Sequence, residues 1–88
     1  MNKPVRVVIV GAGYVSKYHI QAVKSLLHAE IVAIVDVNKD QASQVAAQFG
    51  IPQICARLAE TKSLNPNVVH ILTPPSSHKN LTIEALEM

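Results

Sequence analysis

The 88-residue chain is long enough for one domain and no more. Apolar residues make up 49%, so a packed core is feasible and the composition is not that of a disordered chain. The formal net charge of +2 is scattered and gives no basic stripe for nucleic acid, and three dispersed aromatics (Tyr14, Tyr18 and Phe49) give no base-stacking platform.

Met1–Pro4 leads directly into an apolar run and leaves no room for a signal peptide, and no run approaches the ~20 residues of a membrane span. A soluble cytoplasmic protein is the expectation, with no membrane partner. Val5–Val10 is a nearly continuous β-branched run, suited to a strand buried on both faces of a parallel sheet. Tyr14–His28 reads as a helix with Val15, Tyr18, Ala22, Val23, Leu26 and Leu27 on one apolar face. His19 then reads as a partly buried helical histidine, and His28 as a partner of the helix C-terminal dipole. Ile31–Val35 is a second strand ending at Asp36.

Asn38 opens the next helix as N-cap, with Gln41 at the third helical position, and Ala42, Val45, Ala46 and Phe49 form its apolar stripe. Gly50 stops it and Pro52 prevents its resumption. Gln53–Cys55 is a short third strand. Cys55 is the only cysteine, which rules out an internal disulfide and a zinc site of paired cysteines. Between Ile54 and Ala56 it reads as a small buried residue rather than a reactive thiol. Arg57–Ser63 is a helix or turn, Asn65–Asn67 a turn, and Val68–Leu72 a fourth strand in which His70 is structural. After Pro74 and Pro75, Ser77 can cap a helix over His78–Glu87. Alternating strands and helices imply an α/β fold, a parallel sheet with right-handed crossovers.

The chemistry gathers at three places. Gly11 and Gly13 follow the first strand and precede a helix, the context of a dinucleotide-binding turn. Gly11 permits the tight turn, and Gly13, lacking Cβ, lets a pyrophosphate approach the backbone. Tyr14 and Val15 open the helix, whose N–H groups and dipole favour phosphate. The third glycine position holds Ser16. Asp36 ends the second strand about 20–25 residues further on, where the fingerprint places an acid for the adenosine ribose. Such an acid repels a 2′-phosphate and favours NAD over NADP, a preference that nearby Lys39 softens. The ribose role is the reading for Asp36, with capping or solvating the strand end as the alternative, and Asn38 reads as an N-cap, with an adenine-side role as the alternative. Thr73–His78 follows the fourth strand, on the side where open α/β sheets bind ligands. His78 is either a donor to cofactor or substrate or a surface histidine at a helix start. No Ser-His-Asp or metal-ligand spacing is present.

Together, Gly11–His19, Asp36, Phe49–Pro52 and Thr73–His78 with the amphipathic stretch after it resemble one family, the glucose–fructose oxidoreductase / inositol dehydrogenase / MocA-type NAD(P)-dependent oxidoreductases. The resemblance covers essentially the whole chain. It implies an incomplete doubly wound (Rossmann) sheet over residues 1–88, four strands in order 3-2-1-4 with flanking helices. It also implies a cofactor site of Gly11, Gly13, Tyr14, Val15 and Asp36, with Thr73, Pro74, Pro75 and His78 towards nicotinamide. The cofactor implied is NAD, with NADP as the variant. The parent would act by hydride transfer on a sugar- or cyclitol-like hydroxyl. Such parents carry a Glu-Lys-Pro motif after the next strand and a second, substrate-shaping domain. The sequence ends at Met88 without either, so catalytic residues are unassigned and the expectation is a truncated, weakly binding, non-catalytic unit. A strand like Val68–Leu72 at a sheet edge favours self-association. Two other classes compete: a non-catalytic NAD(H)-sensing or oligomerisation module, and a methyltransferase-type fold binding S-adenosylmethionine.

Overall fold

A computed structural model describes residues 4–26 and 28–72. Four strands, β1 (Val5–Val10), β2 (Ala29–Val35), β3 (Gln53–Cys55) and β4 (Val68–Ile71), form one sheet in the order β3-β2-β1-β4. Every pairing is parallel. The expected α/β class and 3-2-1-4 order are therefore observed. Two helices, α1 (Ser16–Lys24) and α2 (Lys39–Phe49), supply the β1–β2 and β2–β3 crossovers. A 3₁₀ helix over Leu58–Leu64 lies between β3 and β4, in the region expected to be a helix or turn.

The strands are buried on both faces because each face has its own apolar layer. Val7, Ile9, Ile31 and Ile34 pack with Ile20 and Val23 of α1 and with Ala42, Val45 and Ala46 of α2. Val8, Val10, Val32, Ala33 and Val35 pack with Cys55 and Leu58 on the other side. Val32 and Ala33 share a face because the β1–β2 register shifts between Val7 and Val8. A one-residue irregularity of this kind interrupts strict alternation. On the second face Thr61 is buried, and its hydroxyl donates to the Leu58 carbonyl at 2.7 Å.

The termini of α2 follow the sequence. Asn38 Oδ1 accepts from the Gln41 N–H at 3.1 Å, and Gly50 closes the helix in the left-handed conformation at φ 69°. Lys24 Nζ donates to the Phe49 carbonyl at 2.8 Å, placing a cation at the negative end of the α2 dipole.

Helix α1 differs from its expected form. It begins at Ser16 and ends at Lys24, and its buried face is Ser16, Ile20 and Val23. Val15, Tyr18, Ala22 and Leu26 are exposed, and Leu27 lies outside the described residues. The face is rotated by about one residue because the small Ser16, rather than Val15, is set against the sheet at the tight turn. With that rotation His19 is exposed, not partly buried. His28 stands four residues beyond the helix end, and the base in the last turn is Lys24.

Candidate functional site

The site is built where β1 and β2 end side by side. Gly11 leaves β1 at φ 104°, a torsion that favours glycine, and its N–H donates to the Val35 carbonyl at 2.7 Å. This bond carries the sheet register into the turn and draws the turn over the end of β2. Ala12 is buried, and its N–H donates to Asp36 Oδ2 at 2.8 Å. The other carboxylate oxygen, Oδ1, accepts the N–H of Asn38 at 2.9 Å. Asp36 is itself anchored through its N–H to the Cys55 carbonyl of β3, at 3.0 Å. One carboxylate thus ties the glycine turn to the start of the β2–α2 loop.

Gly13 stands apart from the other two turn glycines. Its φ is not in the left-handed region, and a Cβ built on it would meet no atom within 4 Å. Neither the backbone torsion nor the packing of the chain calls for glycine there. Among the described residues, the N–H groups of Gly13, Tyr14 and Val15 have no hydrogen-bond partner. Three consecutive donors at the positive end of α1, with open space at Gly13, suit an anionic group. Ser16 closes the turn from below. It is 1% exposed, and both its N–H (3.0 Å) and its hydroxyl (2.6 Å) donate to the Gly13 carbonyl.

Tyr14 and Tyr18 rise from this turn as an exposed pair. Their hydroxyls are 2.8 Å apart, and their rings meet edge to face with centroids 5.5 Å apart. The hydrogen bond to Tyr14, and secondarily burial, raises the Tyr18 phenol above its ordinary pKa.

Of the residues expected at the site, Gly11, Gly13, Tyr14, Val15 and Asp36 are brought together. Thr73, Pro74, Pro75 and His78 lie outside the described residues. The Leu72 N–H donates to the Val10 carbonyl at 2.8 Å, so Leu72 lies at the end of β1 where the glycine turn begins. Sequence reasoning missed Val37, an 86% exposed β-branched residue next to Asp36. An apolar side chain in the β2–α2 loop, between an acid and an N-cap, was the available signal. Among the described residues no helix is long and apolar enough to cross a membrane.

A parallel 3-2-1-4 sheet, a glycine turn between its first strand and helix, and an acid ending its second strand define a doubly wound dinucleotide-binding fold. The chain belongs to the oxidoreductase family with an NAD-binding Rossmann fold, whose family model matches residues 5–88. It is 38% identical over 90 residues to inositol 2-dehydrogenase of Arthrobacter sp. (strain FB24), covering 98% of this chain and 26% of that protein. An oxidoreductase from Agrobacterium radiobacter, solved with NAD+, L-tartaric acid and magnesium, superposes with TM-score 0.89 at 26% identity, over 97% of this chain and 25% of that one. The WlbA dehydrogenase from Bordetella pertussis, solved with NADH and UDP-GlcNAcA, gives TM-score 0.88 at 28% identity, over 97% of this chain and 26% of that one. The chain spans about a quarter of the length of the curated relatives it matches.

Proposed function

We propose that the chain holds the adenosine and pyrophosphate portions of NAD across the β1–α1 turn. The observation that carries this reading is the open space at Gly13 together with three consecutive backbone donors, those of Gly13, Tyr14 and Val15, that have no partner among the described residues. The N–H groups of Gly13, Tyr14 and Val15 would donate to the pyrophosphate, and Gly11 would set the turn that presents them. Each Asp36 oxygen accepts one backbone N–H and keeps further lone-pair capacity for the ribose hydroxyls. The Asp36 charge opposes a 2′-phosphate and favours NAD over NADP, with Lys39 offsetting part of that preference. Val37 would offer an apolar surface to the adenine. Thr73, Pro74, Pro75 and His78 would line the path towards nicotinamide.

Residues 1–88 would form the N-terminal part of a cofactor-binding domain in a longer oxidoreductase. That protein would transfer hydride between nicotinamide and a hydroxyl carbon of a sugar- or cyclitol-like substrate. An inositol dehydrogenase relative and a structural neighbour solved with a sugar nucleotide support this substrate class. When bound, nicotinamide supplies the hydride chemistry, and the residues assigned here bind and orient it. The 88-residue chain alone would bind weakly and turn over no substrate. Val68 is exposed, and β4 ends the strand order among the described residues, which supports self-association along that strand. Titration of the chain with NADH, NADPH and S-adenosylmethionine tests the reading. NADH should bind most tightly; S-adenosylmethionine binding as well as NADH would overturn it.

A further inference from the structure

Ser16 occupies the position where the dinucleotide fingerprint has its third glycine, and its hydroxyl makes a contact that glycine cannot make. The Gly13 carbonyl accepts two hydrogen bonds from one residue, the Ser16 hydroxyl at 2.6 Å and the Ser16 N–H at 3.0 Å. Both lone pairs of that oxygen are thereby engaged. The Gly13–Tyr14 peptide is planar and trans, so its carbonyl and its N–H point in opposite directions. Fixing the Gly13 carbonyl against the buried Ser16 therefore fixes the direction of the Tyr14 N–H. Asp36 does the same two peptides earlier, where its carboxylate holds the Ala12 N–H. Among the described residues, the donors of Gly13, Tyr14 and Val15 stay unpaired between these two ties.

We infer that Ser16 is a positioning residue for pyrophosphate, its hydroxyl aiming the Tyr14 N–H outward by holding the Gly13 carbonyl inward. The inference rests on the dinucleotide reading above. It assigns this chain's departure from the glycine fingerprint a role in phosphate binding beyond that of a small spacer. Restoring the glycine should weaken binding here, because the peptide plane loses one of its two restraints and the carbonyl can turn towards the phosphates.

The test compares the wild-type chain with Ser16→Ala and Ser16→Gly, using NADH and adenosine as ligands. Affinities come from amide shifts in NMR titrations, and thermal melts check the fold of each variant. Both variants should lose roughly fivefold or more in NADH affinity, the worth of one hydrogen bond. Adenosine, which has no pyrophosphate, should bind within about twofold of wild type, as expected when only the phosphate-facing donor is disturbed. The NADH-induced shift of the Tyr14 amide should shrink most. NADH affinity unchanged in either variant, or equal losses for NADH and adenosine, would overturn the role of Ser16. Failure of the wild-type chain to bind NADH would instead strike the dinucleotide reading itself.

Discussion

Replacing Gly13 by alanine separates what the fold needs from what a ligand needs. The Gly13 torsion lies outside the left-handed region, and an added Cβ meets nothing within 4 Å. Alanine should therefore fit without strain and reduce the freedom of the unfolded chain. That change stabilises by about 0.4–1 kcal/mol where the torsion is compatible. For a domain of this size it raises Tm by roughly 2–8 °C. The same methyl would project into the open space at Gly13, where a pyrophosphate held by the N–H groups of Gly13, Tyr14 and Val15 would approach the backbone. If pyrophosphate sits there, even a small displacement of three charge-assisted hydrogen bonds costs about 1.4 kcal/mol or more, at least tenfold in affinity. Thermal denaturation and NADH titration of the same two samples read both effects. The prediction is a variant as stable as wild type, or more so, that binds NADH at least tenfold more weakly. Undiminished NADH binding would refute the assignment of the space to pyrophosphate, and a large loss of stability would refute the claim that the chain itself does not need this glycine.

Asp36→Ala removes the acceptor of two backbone N–H groups, from Ala12 and Asn38. Bonds to a charged group are worth about 1.5–3 kcal/mol when buried, and Asp36 is half-buried, so about 2–3 kcal/mol should be lost in urea unfolding. NAD affinity should fall by a larger factor than NADP affinity; equal factors would contradict the ribose assignment. Burial, then the charge of Glu60, pushes the Cys55 thiol above its ordinary pKa. The folded state thus holds this proton more tightly than the unfolded chain does. The stability this gives is fully present below the unfolded thiol pKa of about 8.5 and is lost as pH rises through the raised folded value. Urea unfolding between neutral and alkaline pH should show a steeper decline for wild type than for Cys55→Ala, and parallel curves would count against it. Sedimentation at high micromolar concentration should detect self-association, reduced when Val68 is replaced by Lys on β4; a monodisperse wild-type monomer would contradict the edge argument.

Much of this fold was legible because buried parallel strands leave a strong trace. The runs Val5–Val10 and Ile31–Val35 needed only their β-branched content, and the ends of α2 were marked by Asn38 and Gly50. The phase of α1 was not legible. Val15 and Tyr18 look like core residues, whereas the face is set by where Ser16 meets the sheet, a tertiary constraint with no periodic signature. The register shift opposite Val7 and Val8 is equally silent, since every residue around it is apolar. At the site, Gly11, Gly13 and Asp36 were readable from spacing. The Asp36 bond to the Ala12 N–H was not, because it joins two loops that only the sheet brings together. Val37 was passed over because a single exposed valine has many ordinary explanations.

The most direct test of dinucleotide binding at the β1–α1 turn is an NMR titration of the 88-residue chain with NADH, observing backbone amides. Saturable shifts should concentrate at Gly13, Tyr14, Val15, Asp36 and Val37, with NADPH weaker. No saturable shifts, or shifts confined to the opposite end of the sheet around Val5 and Val68, would contradict it.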